Sequence, residues 1–213
     1  MTQTILVTGG AGYIGTHCII ELLQKGFQVV AIDNFTNAVK SDDDPDGLPA
    51  SLQRVQEMVR KPVKFYPADI TDKTSLRKVF SQEKIHCVLH IAALKSVSES
   101  CDSPLKYYSV NMAGSIHLIE IMEEFDVKNI VFSSSSTVFG EPEYLPIDEN
   151  HPTGKCINPY GRTKYFFEEM LGDLAASKKV SVYITEEATT FQKKSCFDAS
   201  RIKGSVARGL WIA

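Results

Sequence analysis

The stretch Thr8-Gly9-Gly10-Ala11-Gly12-Tyr13-Ile14-Gly15 limits what this chain can fold into more than any other. It follows an apolar run, Ile5-Leu6-Val7, and opens into an amphipathic segment from Tyr13 to Leu23. A buried strand, a glycine turn and a helix start, in that order, make the phosphate-holding element of a dinucleotide fold. Gly9, Gly12 and Gly15 then permit the tight turn, the approach of backbone to a pyrophosphate and the packing of helix on strand. The helix N-terminus offers unpaired N–H groups and the positive end of its dipole to the anion. Glycine turns between strand and helix are common, so the elements that follow must carry the reading.

They do so by alternation. Gly26 ends the first helix, and Phe27 to Asp33 reads as a second buried parallel strand. Asp33 closes it roughly 20 residues past the glycines, where a carboxylate accepts the adenosine ribose hydroxyls and repels a 2′-phosphate. That favours NAD over NADP; a strand-end turn residue is the alternative, and the three glycines tip the balance. A helix over 51–60 and a strand over 63–66 follow. Thr71 or Asp72 caps a helix running to Gln82, and a fourth strand spans 86–91. Apolar spacing predicts a helix over 104–124, with Pro104 in its first turn. A fifth strand over 129–132 runs into Ser133-Ser134-Ser135-Ser136-Thr137, and Asn158-Pro159 starts a last long helix. The expected fold is therefore α/β, a doubly wound parallel sheet of Rossmann type. Residues 1–177 form the cofactor domain, and 178–213 form a divergent tail with room for one added strand, Val180 to Ile184.

Several polar residues fall where open α/β sheets bind ligands, at the C-terminal ends of strands. Ala92 and Ala93 are small enough for backbone to lie against a cofactor. Lys95 comes just after them; on spacing alone a site lysine and a solvated lysine stand even. Asn111 reads as either an exposed helix residue or a site residue.

Composition excludes some classes. A formal net charge of −3 on 213 residues gives no reason to expect nucleic acid. No apolar run reaches the roughly 18 residues a membrane span needs. Met1-Thr2-Gln3-Thr4 lacks the pattern of a secretion signal. The five cysteines are scattered and the five histidines lack ligand spacing. Reduced thiols in the cytoplasm, without a metal, are expected. The acidic run Asp42 to Gly47 reads as a solvated loop, since the terminal glutamate of a calcium loop is missing.

Tyr160 and Lys164 stand four apart, on one helix face. A free tyrosine titrates near pH 10, so proton transfer near neutrality needs a shift of roughly three units, about 4 kcal/mol. A nearby ammonium supplies about 1–4 kcal/mol, depending on the local dielectric. The cationic ring of an oxidised nicotinamide could supply the rest. The pair is common on exposed helices; it gains weight from following a glycine turn, Asp33 and a strand-end serine cluster.

These features together resemble the extended short-chain dehydrogenase/reductase family, and within it the UDP-glucose 4-epimerase branch. The matching stretches are Thr8 to Gly15, Ala31 to Phe35, Asp69-Ile70, Ala93 to Val97, Ser133 to Gly140, Leu145-Pro146, His151 to Gly154 and Asn158 to Gly161. The likeness runs from about Ile5 to Leu174. It implies tightly held NAD, with the pyrophosphate on Tyr13 and Ile14 and the adenosine on Asp33, Asn34, Asp69 and Ile70. Lys95 and Lys164 would also touch the cofactor. It further implies that Tyr160 takes the proton of a sugar 4-hydroxyl while hydride passes from C4 to NAD. The 4-keto sugar then turns and receives the hydride on its other face. Ser135 would hydrogen-bond the reacting oxygen, with Thr137 beside it, and Lys95 and Asn111 near the UDP-sugar. Ser136 and Phe139 depart from the family's usual alanine and tyrosine. The related 4,6-dehydratases carry an Asp-Glu pair after the site threonine, where this chain has Val138-Phe139.

From about Ser177 the resemblance stops. The family's uridine and diphosphate contacts lie in the part that does not match, so the expectation is a truncated epimerase with weak or absent turnover. A non-catalytic NAD-binding module that pairs through helices 104–124 and 159–176 is an alternative. Another sugar-nucleotide dehydrogenase or reductase of the superfamily is a third.

Overall fold

The computed structural model describes residues 2–39, 47–148, 150–177, 180–187 and 207–211. Most of the acidic run from Asp42 lies outside them. The elements alternate: β1 Thr4–Thr8, α1 Tyr13–Gln24, β2 Gln28–Asp33, α2 Ala50–Val59, β3 Lys64–Pro67, α3 Lys73–Gln82 and β4 Cys87–His90. Then come α4 Val97–Asp102, α5 Pro104–Tyr107, a π-helical turn Tyr108–Ala113, α6 Gly114–Glu124 and β5 Asn129–Ser133. A 3₁₀ turn Ser136–Phe139, α7 Pro159–Ala176, β6 Ser181–Glu187 and β7 Ala207–Trp211 complete the order.

All strand pairs are parallel, in the order β3-β2-β1-β4-β5-β6-β7. The expected doubly wound sheet is thus present. Direction reverses between β1 and β4, which opens a crevice at the C-terminal ends of those strands. Alternate residues feed opposite faces. Ile5, Val7, Val29, Ala31 and Leu89 pack under α1 and α2 with Ile19, Leu22, Leu52 and Val55. Leu6, Val30, Val88, Ile130 and Phe132 pack on the other face with Leu76, Phe80, Leu118, Met122, Phe167 and Leu171 from α3, α6 and α7. Each fully buried leucine or isoleucine is worth about 1.5–3 kcal/mol.

Local chemistry sets the boundaries. Gly26 closes α1 at φ +89°, with its N–H on Leu23 and that of Phe27 on Leu22. Asp72, of the two candidates, caps α3 by accepting from the Thr74 N–H. Asn158 caps α7, and Pro159 occupies its first turn.

Two elements differ from expectation. The helix over 104–124 is interrupted: the π-helical turn at 108–113 inserts one residue and turns Asn111 inward. Apolar spacing runs across the interruption, so the sequence does not signal it. At the far edge, Ala207–Trp211 forms a seventh strand on β6 where an irregular tail was expected. Pairing satisfies the outer edge of β6, while Gly209 in mid-strand weakens any sequence signal. Among the described residues, no helix is long and apolar enough to cross a membrane.

Candidate active site

The crevice between β1 and β4 holds a cleft of about 270 Å³. The glycine turn forms part of its lining. Gly10 donates to the Ile32 carbonyl and Gly12 to that of Gly9, at 3.0 and 3.2 Å. Gly9 has φ +69°, and a Cβ there would stand 2.9 Å from the Ala92 nitrogen. At Gly15 a Cβ would come within 2.2 Å of the Gly9 carbonyl oxygen, so helix α1 sits this close only because the residue is glycine. Gly12 caps α1 without a side chain, and the first turn of α1 carries no acid. Neither a side-chain cap nor an acid therefore competes with an anion at the start of α1. Tyr13 and Ile14 line the cleft.

Asp33 ends β2 at the other side of the turn, 9% exposed. Its carboxylate accepts from the Ala11 N–H at 3.1 Å and the Phe35 N–H at 2.8 Å. Burial raises its pKa, against the backbone hydrogen bonds from Phe35, Ala11 and Asn34 that lower it. Asn34 donates to the Asp69 carboxylate at 2.8 Å, and Asp69 also accepts from the Thr71 N–H and hydroxyl. Burial pulls Asp69 up, but these three bonds outweigh it and hold its pKa low. Asp33, Asn34, Asp69 and Ile70 line one end of the cleft together.

Lys95 is exposed on the rim, in the loop between β4 and α4. Of the two expectations for Asn111, the exposed helix residue is not what the structure has. Asn111 is 4% exposed and does not border the cleft. Its Oδ1 accepts from the Leu94 N–H at 2.8 Å, and its Nδ2 donates to the Leu94 carbonyl at 2.9 Å and to Thr163 Oγ1 at 3.2 Å. The residue clamps the backbone next to Lys95 against α7.

Tyr160 and Lys164, four apart on α7, both line the cleft. Lys164 is 5% exposed. Its Nζ lies 4.8 Å from the Phe132 ring centroid and 6.0 Å from that of Tyr160. Tyr160 packs with Leu94 and Tyr107, the two tyrosine rings edge-on at 6.5 Å. The Tyr107 hydroxyl donates to Glu99 and accepts from the Ser96 N–H. Burial, then the bond to Glu99, pushes the Tyr107 phenol up to about 12. Tyr107 therefore stays protonated beside Tyr160.

Of the serine run, Ser133 and Ser134 border the cleft, whereas Ser135 and Thr137 do not. Ser135 caps the 3₁₀ turn, accepting from the Thr137 N–H and, at 3.0 Å, from its hydroxyl. The Ser134 hydroxyl is buried without a partner among the described residues. Sequence reasoning missed Ser134, Val110 and Lys106 as lining residues. A run of like residues does not say which member meets a cleft, and the inserted turn at 108–113 set the phase of Val110.

The arrangement joins the glycine turn, the Asp33 carboxylate and a phenol with a cation near it in one cleft. The family described as GDP-mannose 4,6 dehydratase matches residues 6–203. UDP-glucose 4-epimerase of Mus musculus is 52% identical over 172 residues, 81% of this chain and 49% of that protein. That of Drosophila melanogaster is 53% identical over 176 residues, 83% and 49% respectively. The solved structure of UDP-glucose 4-epimerase from Bifidobacterium longum, in complex with NAD+ and UDP, aligns with TM-score 0.79 at 41% identity, covering 86% of this chain and 52% of that one. The chain spans about half the length of the curated relatives it matches.

Proposed function

This chain belongs to the family described as GDP-mannose 4,6 dehydratase, and within it we propose that the 213 residues are the NAD-binding part of a UDP-glucose/UDP-galactose 4-epimerase, acting in galactose metabolism. One observation carries the reading: the glycine turn, Asp33, Tyr160 and Lys164 line a single cleft. The relatives named UDP-glucose 4-epimerase support it, as does Val138-Phe139 in place of the dehydratase Asp-Glu pair.

The residues fit a dinucleotide. The uncapped start of α1 suits a pyrophosphate, and Asp33, Asn34, Asp69 and Ile70 suit the adenosine. Bound there, NAD supplies a hydride acceptor and donor. Tyr160 takes the proton of the sugar 4-hydroxyl and later returns it. Lys164 stabilises the phenolate and reaches toward the nicotinamide ribose. Lys95 meets the cofactor and the substrate at the rim. Ser135 and Thr137 hold the reacting oxygen once a substrate is seated; in the free chain they hold each other. Asn111 serves the substrate by fixing Leu94 beside Lys95.

Pairing of two copies through 104–124 and 159–176 belongs to the same reading. Leu105 is 80% exposed and Phe166 44% exposed on these segments. Light scattering that gives a monomer at all concentrations would end that part of it. A cytoplasmic location belongs to the same reading and is supported by the expected reduced thiols.

The test is an absorbance scan of the purified chain, with and without UDP-galactose. Reduction of retained NAD by the sugar supports the epimerase. Release of reduced NAD to solution would make it a plain oxidoreductase. NAD retained but never reduced would mark a non-catalytic module, and a chain that takes up no NAD would overturn the reading outright.

A further inference from the structure

Beneath the cleft, buried hydrogen bonds run in series from the first strand to the π-helical turn. Thr8 Oγ1 accepts from the Ile91 and Ala92 N–H groups, both at 3.1 Å. It also lies 2.7 Å from His90 Nδ1. A hydroxyl has two lone pairs and one proton. Both lone pairs are taken, so the proton points to His90, and Nδ1 is an acceptor. The ring of a neutral histidine then carries its proton on Nε2. That nitrogen is 2.8 Å from Ser115 Oγ, which donates in turn to the Asn111 carbonyl at 2.5 Å.

A cationic ring has no place in this series. A proton on Nδ1 would meet a hydroxyl with no lone pair left. It would also put a second positive charge near Lys164; the Phe132 ring is 5.8 Å from the His90 ring and 4.8 Å from Lys164 Nζ. Burial, and then the Lys164 charge, push the imidazole pKa down to about 3. The ends of the series are site elements. Thr8 leads into the glycine turn, Ala92 lies against Gly9, and Asn111 clamps Leu94 and Thr163, the neighbours of Lys95 and Lys164.

We propose that His90 is a positioning residue of this site: its neutral Nε2–H ring locks the glycine turn to the Ile91–Ala92 floor and, through Ser115, to the turn that holds Lys95 and Lys164 in place. The proposal rests on the reading of the cleft as a dinucleotide site.

Two measurements on the full chain test it. Nitrogen-15 NMR of the imidazoles, with His90→Gln identifying the signal, should show an Nε2–H ring that does not titrate between about pH 5.5 and 8. A ring that titrates there, or carries its proton on Nδ1, overturns the proposal. NAD is then titrated calorimetrically into wild type, His90→Phe and His90→Gln. Phenylalanine fills the space without polar atoms and should weaken binding about tenfold, the worth of one buried hydrogen bond. Glutamine, whose amide donates toward Ser115, should restore affinity to within roughly threefold of wild type. If His90→Phe does not fold, Ser115→Ala breaks the series and should weaken NAD likewise. Wild-type affinity in the breaking variants, or equal loss in His90→Phe and His90→Gln, overturns the positioning role. Absence of NAD binding by wild type overturns the dinucleotide reading instead, and the ring's protonation state is still decided by NMR.

Discussion

Lys164 donates from Nζ to the carbonyl oxygen of Ser133 at 2.7 Å, a bond that ties helix α7 to the end of strand β5. It fixes the ammonium 4.8 Å from the Phe132 ring centroid and 6.0 Å from that of Tyr160. Lys164→Met keeps the bulk and removes the charge. Sugar-dependent reduction of NAD should fall about 100-fold or more. The lost charge-assisted bond costs about 1.5–3 kcal/mol, partly offset because no charge is then buried. Stopped-flow absorbance and thermal unfolding of the variant check the two parts.

Gly15→Ala should be more damaging than its size suggests. The new Cβ would sit 2.2 Å from the Gly9 carbonyl oxygen and 2.8 Å from the Gly10 Cα, both backbone atoms of the turn itself. Overpacking of this kind costs about 1–3 kcal/mol. The larger expected effect is loss of NAD binding, because α1 must move away from the turn. Calorimetric titration of a variant that still unfolds cooperatively separates the two; unchanged NAD affinity would contradict the account.

Asn111→Leu separates a clamp from a substrate contact. The variant leaves the Leu94 N–H and carbonyl buried without their side-chain partners. Such groups cost about 1–3 kcal/mol each. A marked drop in thermal midpoint is expected before any substrate is added. A variant as stable as wild type, impaired only toward UDP-galactose, would return Asn111 to direct substrate contact.

The Asn34–Asp69 pair sets a pH dependence. An acid whose folded pKa lies below its unfolded one contributes stability that is complete above the unfolded carboxylate range and fades as pH falls through the folded value. Asp69 is such an acid. Asn34→Ala should lower the thermal midpoint at neutral pH, and the gap to wild type should narrow below about pH 4. A gap that stays constant down to pH 3 would assign the effect to something other than this carboxylate.

Most of the fold was legible because its signals are local. Ile5-Leu6-Val7 before three spaced glycines, Gly26 after an amphipathic run and Asp72 before another each act through their own backbone. The sequence carries no signal where a contact remote in sequence set the geometry. Asn111 lies 17 residues from Leu94 and 52 from Thr163, and those partners accompany the helix's departure from α-geometry. Ser135 was placed by family likeness on the reacting oxygen, while in the free chain its hydroxyl pairs with Thr137.

By itself, then, the sequence determined the order of strands and helices, the glycine turn, and the presence of Asp33, Tyr160 and Lys164 at fitting intervals, because backbone sterics and side-chain period act over a few residues. Only the tertiary structure decided which serines meet the cleft, what Asn111 holds, and that the His90 ring stands between Thr8 and Ser115. Those depend on where buried donors and acceptors from distant strands come together, and a buried polar group must take whatever partner the fold brings to it.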